Sequence, residues 1–241
     1  AWTEMPNDTA DAEPENDLLS TGTFYASLAG TYTVGGFAPD FNLVSDLETI
    51  LNLAGIVNHV TFEFRPGEYQ EALYIKDFPR SSYAYGVTFT SETSDSSDVI
   101  LTQATNNTVL VDMDDAHKIT FSHMTLTNTK GHILQLRNGS SQITINNNRI
   151  ESQEALSSSR TLIYSSTTTE DSLSILNNHF HNGYYGIYLY GGDYEKRHII
   201  TGNIFTGNYH ISLYVRKFDG LTCSNNLFQA LYTGDLDFYL Y

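Results

Sequence analysis

The sequence predicts an all-β solenoid of about seven stacked coils, preceded by one amphipathic helix. Short strand-like segments recur roughly every 24 residues over most of the 241-residue chain, which is typical of repeat architectures. Only 17% of the residues are charged, while 17 tyrosines and 13 phenylalanines accompany many Thr, Ser and Asn residues. That composition favours strands over helices. One stretch near the start has the apolar spacing of a helix.

The first 29 residues predict an exposed acidic linker. Residues 1–22 contain six Asp and Glu residues and two prolines among few apolar residues. Such a composition is typical of solvated segments that bury no core. We therefore expect a linker over 1–29, an N-terminal cap over 30–59 and the solenoid over 60–241. Because the chain stops inside a strand-like segment, we expect the solenoid to be truncated at its C-terminus.

Residues 40–55 predict the helix. Asp40 or Asn42 is the expected N-terminal cap, and Gly55 is a typical stop. The apolar residues recur at helical spacing: Leu43, Leu47, Ile50, Leu51 and Ala54. Such an apolar face must be covered, and the first coil of a solenoid exposes strand edges that invite aggregation. We therefore expect this helix to cover the N-terminal end of the solenoid.

Five segments of the repeat align position by position. They are ITFSHMTL (119–126), ITINNNRI (143–150), LSILNNHF (173–180), HIITGNIF (198–205) and LTCSNNLF (221–228). One column contains Met124 followed by Asn148, Asn178, Asn203 and Asn226. Asparagine tolerates left-handed backbone, and its amide can bond both the turn backbone and the next coil, so the column predicts an asparagine ladder. Another column predicts stacked rings of Phe180, Phe205 and Phe228, and Cys223 falls in an inward column as a small buried hydrophobe.

A second set of strands ends in tyrosine: GIYLY (186–190), HISLY (210–214) and DLDFY (235–239). Alternation predicts an outward column of Tyr190, Tyr214 and Tyr239, with Tyr188 beside it. Exposed aromatic faces can stack on sugar rings, and the hydroxyls can bond sugar polar groups. These four tyrosines are therefore the candidate ligand-binding residues. The alternative is that the rings stack across strands and stabilise the sheet.

These repeats resemble the right-handed parallel β-helix proteins of the pectin-lyase-like superfamily. The N-terminal block is similar to large secreted, cell-surface β-helix proteins of Bacteroidetes, which are typically exported by the type IX secretion system. The segments that carry this second resemblance are GTYTVGG (30–36), PDFNLVSDLETILNLAGI (39–56), VTFEFRPGEYQEALYI (60–75), GVTFTSETSDSSDVIL (86–101) and DDAHKITFSHMTLTN (114–128). The resemblance implies a right-handed parallel β-helix from a bacterial secreted or surface-displayed protein.

The resemblance also directs the search for chemistry. Pectate lyases of this superfamily use acidic calcium ligands beside a basic residue, and calcium prefers several converging oxygen ligands. The calcium candidates in this chain are Asp112, Asp114 and Asp115, with a solvated turn cluster as the alternative. Lys196 or Arg197 is the candidate base or charge neutraliser of a lyase, with Glu195 or Asp193 as a metal ligand, and a solvated charged loop is the alternative. Because the case for an enzyme depends on fold analogy, we predict no catalytic residue.

The charge balance restricts the partners. Twelve basic residues against 28 acidic ones give a net charge of −16, which argues against nucleic acid because phosphate binding needs clustered Lys and Arg. No apolar run is long enough to span a bilayer. We expect a non-catalytic extracellular scaffold or adhesion module without a cofactor. It would bind a polysaccharide or cell-surface glycan through the tyrosines and adjoin neighbouring domains. The alternative is a polysaccharide lyase or glycoside hydrolase.

Overall fold

A computed structural model describes residues 26–79, 84–103, 109–153, 157–168, 171–229 and 236–240. Within them the chain forms one α-helix and 22 β-strands. The first eleven elements are β1 (Leu28–Val34), α1 (Val44–Ala54), β2 (Ile56–Phe64), β3 (Gly67–Tyr69), β4 (Leu73–Lys76), β5 (Val87–Ser91), β6 (Val99–Gln103), β7 (Val111–Asp114), β8 (Ile119–Ser122), β9 (Thr125–Asn128) and β10 (Leu134–Arg137). The others are β11 (Thr144–Asn146), β12 (Arg149–Ser152), β13 (Ile163–Thr168), β14 (Ser174–Leu176), β15 (His179–His181), β16 (Tyr185–Lys196), β17 (Ile199–Thr201), β18 (Ile204–Thr206), β19 (Ile211–Asp219), β20 (Thr222–Ser224), β21 (Leu227–Gln229) and β22 (Leu236–Leu240).

The strands form three parallel sheets, to which each coil contributes one strand in turn. Sheet 1 has the order β1-β2-β5-β8-β11-β14-β17-β20. Sheet 2 has the order β3-β6-β9-β12-β15-β18-β21, and sheet 3 the order β4-β7-β10-β13-β16-β19-β22. Because each strand pairs with its equivalents in the coils before and after it, the apolar side chains of successive coils share one continuous core. The predicted right-handed parallel β-helix of about seven coils is confirmed.

The helix α1 packs against β1 and β4, the first strands of sheets 1 and 3. It runs over Val44–Ala54, inside the predicted range, and its buried residues are Val44, Leu47, Leu51 and Ala54. Val44, Leu47 and Leu51 belong to the same core as the coils, so the helix covers apolar surface at the start of the β-helix. No helix in the described part of the chain is long and apolar enough to cross a membrane.

The expected cap of the helix is wrong. The Asp40 carboxylate accepts hydrogen bonds from the backbone N–H and hydroxyl of Thr33 instead, at 2.7 and 2.8 Å. The free N–H groups of the first turn are satisfied by Glu71, whose carboxylate accepts from Val44 and Ser45 at 3.3 and 3.0 Å. A distant carboxylate therefore replaces the local cap that the sequence suggested.

The asparagine ladder is confirmed at the corner between sheets 1 and 2. The Oδ1 atom of each asparagine accepts from the backbone N–H of its equivalent one coil earlier: Asn148 from Met124, Asn178 from Asn148, Asn203 from Asn178 and Asn226 from Asn203, all at 2.9–3.0 Å. The left-handed backbone lies one residue earlier than predicted, at His123, Asn147, Asn177, Gly202 and Asn225. The side-chain amides of the ladder residues therefore make the hydrogen bonds between coils, while the residue before each of them adopts the left-handed backbone of the turn.

The predicted phenylalanine stack is also confirmed. Phe180 and Phe205 have centroids 4.8 Å apart, and Phe205 and Phe228 4.9 Å apart, with ring planes within 11°. Cys223 lies in register with Ile200, as predicted, and is half-buried in the last described coil. Burial raises the pKa of its thiol, which disfavours the reactive thiolate.

Candidate functional site

The outward side chains of sheet 3 form the most chemically varied surface of the β-helix. Alternation along each strand buries every second residue and points the others outward. One outward column in this sheet begins with Tyr74, Asp112 and Gln135 and continues into tyrosines. Carboxylates and a guanidinium therefore occupy the first coils of this face, and aromatic rings occupy the later coils.

Five aromatic rings stack in a row, and we call them the aromatic ladder: His132, which precedes β10, and then Tyr164, Tyr188, Tyr214 and Tyr239 of this column. The centroids of successive rings are 4.3, 5.5, 4.6 and 4.9 Å apart, and successive ring planes are within 16° of parallel. Each ring therefore covers a face of its neighbour. The arrangement matches cross-strand stacking, the alternative weighed against sugar stacking.

Tyr190 is not a member of the aromatic ladder, and its predicted place in the column is wrong. Tyr188 pairs with Tyr214, whereas Tyr190 pairs with Arg216, so the register differs from the predicted one by two residues. Tyr190 lies beneath two cations instead: the Arg216 guanidinium is 5.1 Å and the Lys217 ammonium 5.5 Å from its ring centroid. The shift keeps every tyrosine outward because side chains alternate with a period of two.

A groove of about 320 Å³ opens beside the first rings of the aromatic ladder. Its lining residues are His132, Ser158, Ser159, Thr161, Tyr164, Tyr185 and Tyr188. Tyr185 does not stack in the ladder, since its ring is tilted by 60° to Tyr188 at a centroid distance of 4.9 Å. The lining of the groove thus combines a ring that is tilted to the aromatic ladder with two serines and a threonine.

The groove is uncharged at neutral pH. Burial lowers the pKa of His132 to about 4, and its Nδ1 accepts the Thr161 N–H at 3.3 Å, so the imidazole is neutral. Burial raises the pKa of the Tyr185 and Tyr188 hydroxyls, which therefore remain protonated. Among the described residues that line the groove, none carries a formal charge near pH 7. Such a mixture of aromatic surface and neutral polar groups is typical of small-molecule sites.

The calcium candidates do not gather around a shared space. The Arg137 guanidinium lies between Asp112 and Asp114, donating to both Asp112 oxygens at 2.9 Å and approaching Asp114 at 3.2 Å. The Tyr74 hydroxyl donates to Asp114 at 2.8 Å. Asp115 instead lies 3.4 Å from the His117 ring nitrogen, in the following turn. A cation already present on the chain therefore pairs with both carboxylates.

The electrostatics of Asp114 follow from these contacts. Partial burial opposes its ionisation, but the hydrogen bonds from Asn138 and Tyr74 and the charge of Arg137 outweigh burial and lower its pKa. The hydrogen bond from Tyr74 to Asp114 also raises the pKa of the Tyr74 hydroxyl. The cluster is thus an ion-paired network in which the carboxylate stays ionised.

The candidate lyase residues are only partly placed. Arg197 is exposed and its guanidinium lies 3.4 Å from the Asp171 carboxylate, so its contact is a surface ion pair. The side chains of Glu195 and Lys196 lie outside the described part of the structure. Their backbone belongs to β16, where they pair with Phe218 and Asp219.

The fold places this protein among the right-handed parallel β-helix proteins. The structure is similar to two crystal structures of the pectin methylesterase from Aspergillus niger, in deglycosylated and penultimately deglycosylated forms. Their TM-scores are 0.52 and 0.51 at 14% identity, and each match covers 91% of this chain and 87% of the enzyme. The comparison with curated proteins found no match.

The family follows from the sequence itself. Residues 68–234 match the family described as "Periplasmic copper-binding protein (NosD)". That match covers more than half of the chain, so the chain belongs to this family.

The described residues do not fit a copper site of the kind that the family description suggests. Copper prefers imidazole, thiolate and thioether ligands, and all eight histidines and the single cysteine lie within the described ranges. No three His, Cys, Asp or Glu residues among those described converge as metal ligands. Met113 and Met124 are fully buried in the core. The nearest approach is the pair His179 and His181, whose ring nitrogens both contact the Thr206 hydroxyl, at 3.0 and 2.9 Å.

Several residues of the site escaped sequence reasoning. His132 and Tyr164 were not predicted as site residues because their segments show no repeat motif that places them in the tyrosine column. Tyr185 directly precedes the strand GIYLY (186–190) and was expected beside the tyrosine column, but it was not among the four candidate ligand-binding residues. The pair His179 and His181 carries a signal that was missed: residues two apart in a strand point to the same face.

Proposed function

We propose that this protein is a non-catalytic carbohydrate-binding β-helix that binds an uncharged glycan in the groove beside the aromatic ladder. The observation that supports the proposal is the groove lining, where the tilted ring of Tyr185 occurs together with Ser158 and Ser159. A sugar ring has an apolar face that suits an aromatic side chain and an equatorial rim that suits hydroxyls. The groove volume of about 320 Å³ lies in the range of natural ligand sites.

An uncharged glycan suits the electrostatics better than an acidic one. The chain carries a net charge of −16, which repels polyanions at long range. The groove contributes no compensating cation, because burial lowers the pKa of His132 to about 4 and the imidazole is therefore neutral near pH 7. We therefore place the ligand among neutral polysaccharides.

The polysaccharide lyase or hydrolase considered from the sequence is less well supported by the side chains. A glycosidase needs one carboxylic acid that is protonated near its working pH. In the carboxylate network of sheet 3 the pKa of Asp114 is lowered and Arg137 holds both carboxylates. This network has the opposite electrostatics to those of a general acid.

We further propose that the protein acts outside the cytoplasm, as a secreted or cell-surface scaffold or adhesion module joined to neighbouring domains. The family description, which says "periplasmic", supports an extracytoplasmic location. Export by a Bacteroidetes-type type IX system rests on the resemblance of the N-terminal segments alone and stays a prediction. Calcium dependence likewise stays untested.

Affinity electrophoresis in gels containing hydroxyethyl cellulose, xyloglucan, galactomannan or, as the acidic arm, alginate tests the proposal. We expect retardation by at least one neutral polymer and none by alginate. Tyr185→Ala, which removes the tilted ring, and Ser158→Trp, which fills the groove from an exposed position, should each weaken retardation about tenfold or more. Tyr209→Ala is the matched control, because Tyr209 is 41% exposed and lies outside the groove. Retardation that survives both groove variants, or retardation by alginate alone, would refute the proposal.

A further inference from the structure

Sheet 1 carries a second groove on its outward face, separate from the aromatic ladder on sheet 3. This groove has a volume of about 380 Å³. Its floor is a column of hydroxyls in four successive coils, from Thr88 through Thr120 and Thr144 to Ser174. Its wall includes Lys118 and Gln142, which lie just before β8 and β11, and His59 of β2. The groove therefore crosses four coils and runs along the axis of the β-helix.

The hydroxyls of the floor are available to a ligand. Within the described part of the chain, the side chains of Thr88, Thr120, Thr144 and Ser174 make no hydrogen bond to another protein atom. The neighbouring outward column of the same sheet behaves differently, because Ser122 donates to Thr90 at 3.0 Å and Thr201 contacts Ser224 at 3.0 Å. Two pairs of hydroxyls in that column thus bond across coils, whereas the column under the groove leaves its hydroxyls open.

Neutral polar groups make up most of the described lining of the groove. The Lys118 ammonium donates to the Ala84 carbonyl at 3.1 Å, so it is directed to the backbone. His59 accepts the Gly86 N–H through Nδ1 at 3.2 Å. No Asp or Glu is among the described residues that line the groove. The surface offers mainly neutral hydroxyl and amide groups, which are complementary to the hydroxyls of a sugar.

The repeat sets the shape of the ligand. Parallel strands lie about 4.8 Å apart, so four hydroxyls in successive coils extend over about 14 Å. A linear chain with hydroxyls along its length matches such a row, whereas a compact ligand would contact only one or two coils. From this arrangement we infer that the groove on sheet 1 is a second binding site, which holds a linear neutral oligosaccharide parallel to the axis of the β-helix. The inference deepens the proposed function and rests on it, because it makes the protein a bivalent module that joins two glycan chains.

The experiment counts sites with one probe. Isothermal titration with the neutral oligosaccharide cellohexaose should give two sites per wild-type chain. Thr120→Val/Thr144→Val keeps the side-chain shape and strand propensity but removes two open hydroxyls, and it should weaken one site about tenfold or more. Thr222→Val is the matched control: Thr222 is an exposed residue of the same column, beyond the groove. Tyr185→Ala should weaken the other site only, and circular dichroism checks that each variant is folded.

The outcomes separate this inference from the proposed function. One site in the wild type, lost in Tyr185→Ala and unaffected by the double valine variant, would overturn the second site and leave the proposed function intact. Two sites of which neither responds to the double valine variant would also overturn it. No binding of cellohexaose or of any neutral polymer would overturn both. Two results together would establish bivalency. The wild type should have two sites, of which each variant loses a different one. The wild type should also cloud a hydroxyethyl cellulose solution, and neither variant should do so.

Discussion

Replacing Asn203 by leucine should lower the stability of the β-helix more than almost any other single substitution in the asparagine ladder. Asn203 is fully buried. Its Oδ1 accepts from the backbone N–H of Asn178 at 2.9 Å, and its Nδ2 donates to the Ile175 carbonyl at 2.9 Å. Leucine has a similar size but can make neither bond. Two buried backbone groups would then be left without partners.

The magnitude follows from those two groups. Leaving one buried donor or acceptor unsatisfied costs about 1–3 kcal/mol, so Asn203→Leu should lower the free energy of unfolding by about 2–6 kcal/mol. Backbone strain does not contribute, because the left-handed turn is made by Gly202 and not by Asn203. A loss of this size is a large part of the roughly 5–15 kcal/mol that stabilises a typical domain.

Urea unfolding followed by circular dichroism measures the loss, and amide hydrogen exchange locates it. We expect a lower unfolding midpoint and faster exchange of the Asn178 N–H. The matched control is Asn146→Leu on the outward face, where the Asn146 Oδ1 accepts no hydrogen bond and the next coil already has Leu176 in register. That control should change stability by no more than about 0.5 kcal/mol. Equal midpoints for the two variants would refute the reasoning.

Two further predictions concern titration. Burial lowers the pKa of His132 to about 4 in the folded chain, whereas in the unfolded chain it is near 6.5. Between these two pH values the unfolded chain binds a proton at His132 and the folded chain does not. The free energy of unfolding should therefore fall as the pH drops from about 6.5 towards 4. His132→Phe, which keeps a ring against Tyr164, should lose less stability in that window, and an NMR titration of His132 with a midpoint near 6.5 would contradict this prediction. Arg137→Gln removes a guanidinium 3.2 Å from Asp114 and should raise the pKa of that carboxyl. The lowered pKa stabilises the fold above the unfolded value near 3.9, so the variant should be less stable at neutral pH; an unchanged Asp114 titration measured by carboxyl-detected NMR would argue against the network.

The fold was predictable because its determinants repeat at fixed positions. Asn148, Asn178 and Asn203 form one column in the sequence and one ladder in the structure, since the turn between sheets 1 and 2 keeps the same length in each coil from β8 to β21. The turn between sheets 2 and 3 changes its length from coil to coil. The register between Tyr188 and Tyr214 therefore could not be obtained by aligning strand ends, and the prediction slipped by two residues.

The same reasoning explains which parts of the site were predictable. Alternation correctly places Tyr188, Tyr214 and Tyr239 on the outward face, because a two-residue slip preserves the face of every side chain. It does not place Asp112 and Asp114 against Arg137, since that contact depends on which strand of the next coil supplies the guanidinium. The helix cap fails for the same reason: Glu71 reaches the first turn of α1 from a distant part of the sequence.

A stacked aromatic ladder and a bound sugar compete for the same ring faces. The rings of Tyr188, Tyr214 and Tyr239 lie within 5° of parallel at centroid distances of 4.6 and 4.9 Å, so stacking against each other already covers their inner faces. A sugar could reach such a ladder only at its edge, at its end, or where a ring leaves the stack. Tyr185 is such a ring, since it is tilted by 60–64° to its neighbours Tyr188 and His210. The aromatic ladder therefore stacks across the strands of sheet 3, and under the proposed function the tilted ring of Tyr185 is the one that contacts the ligand.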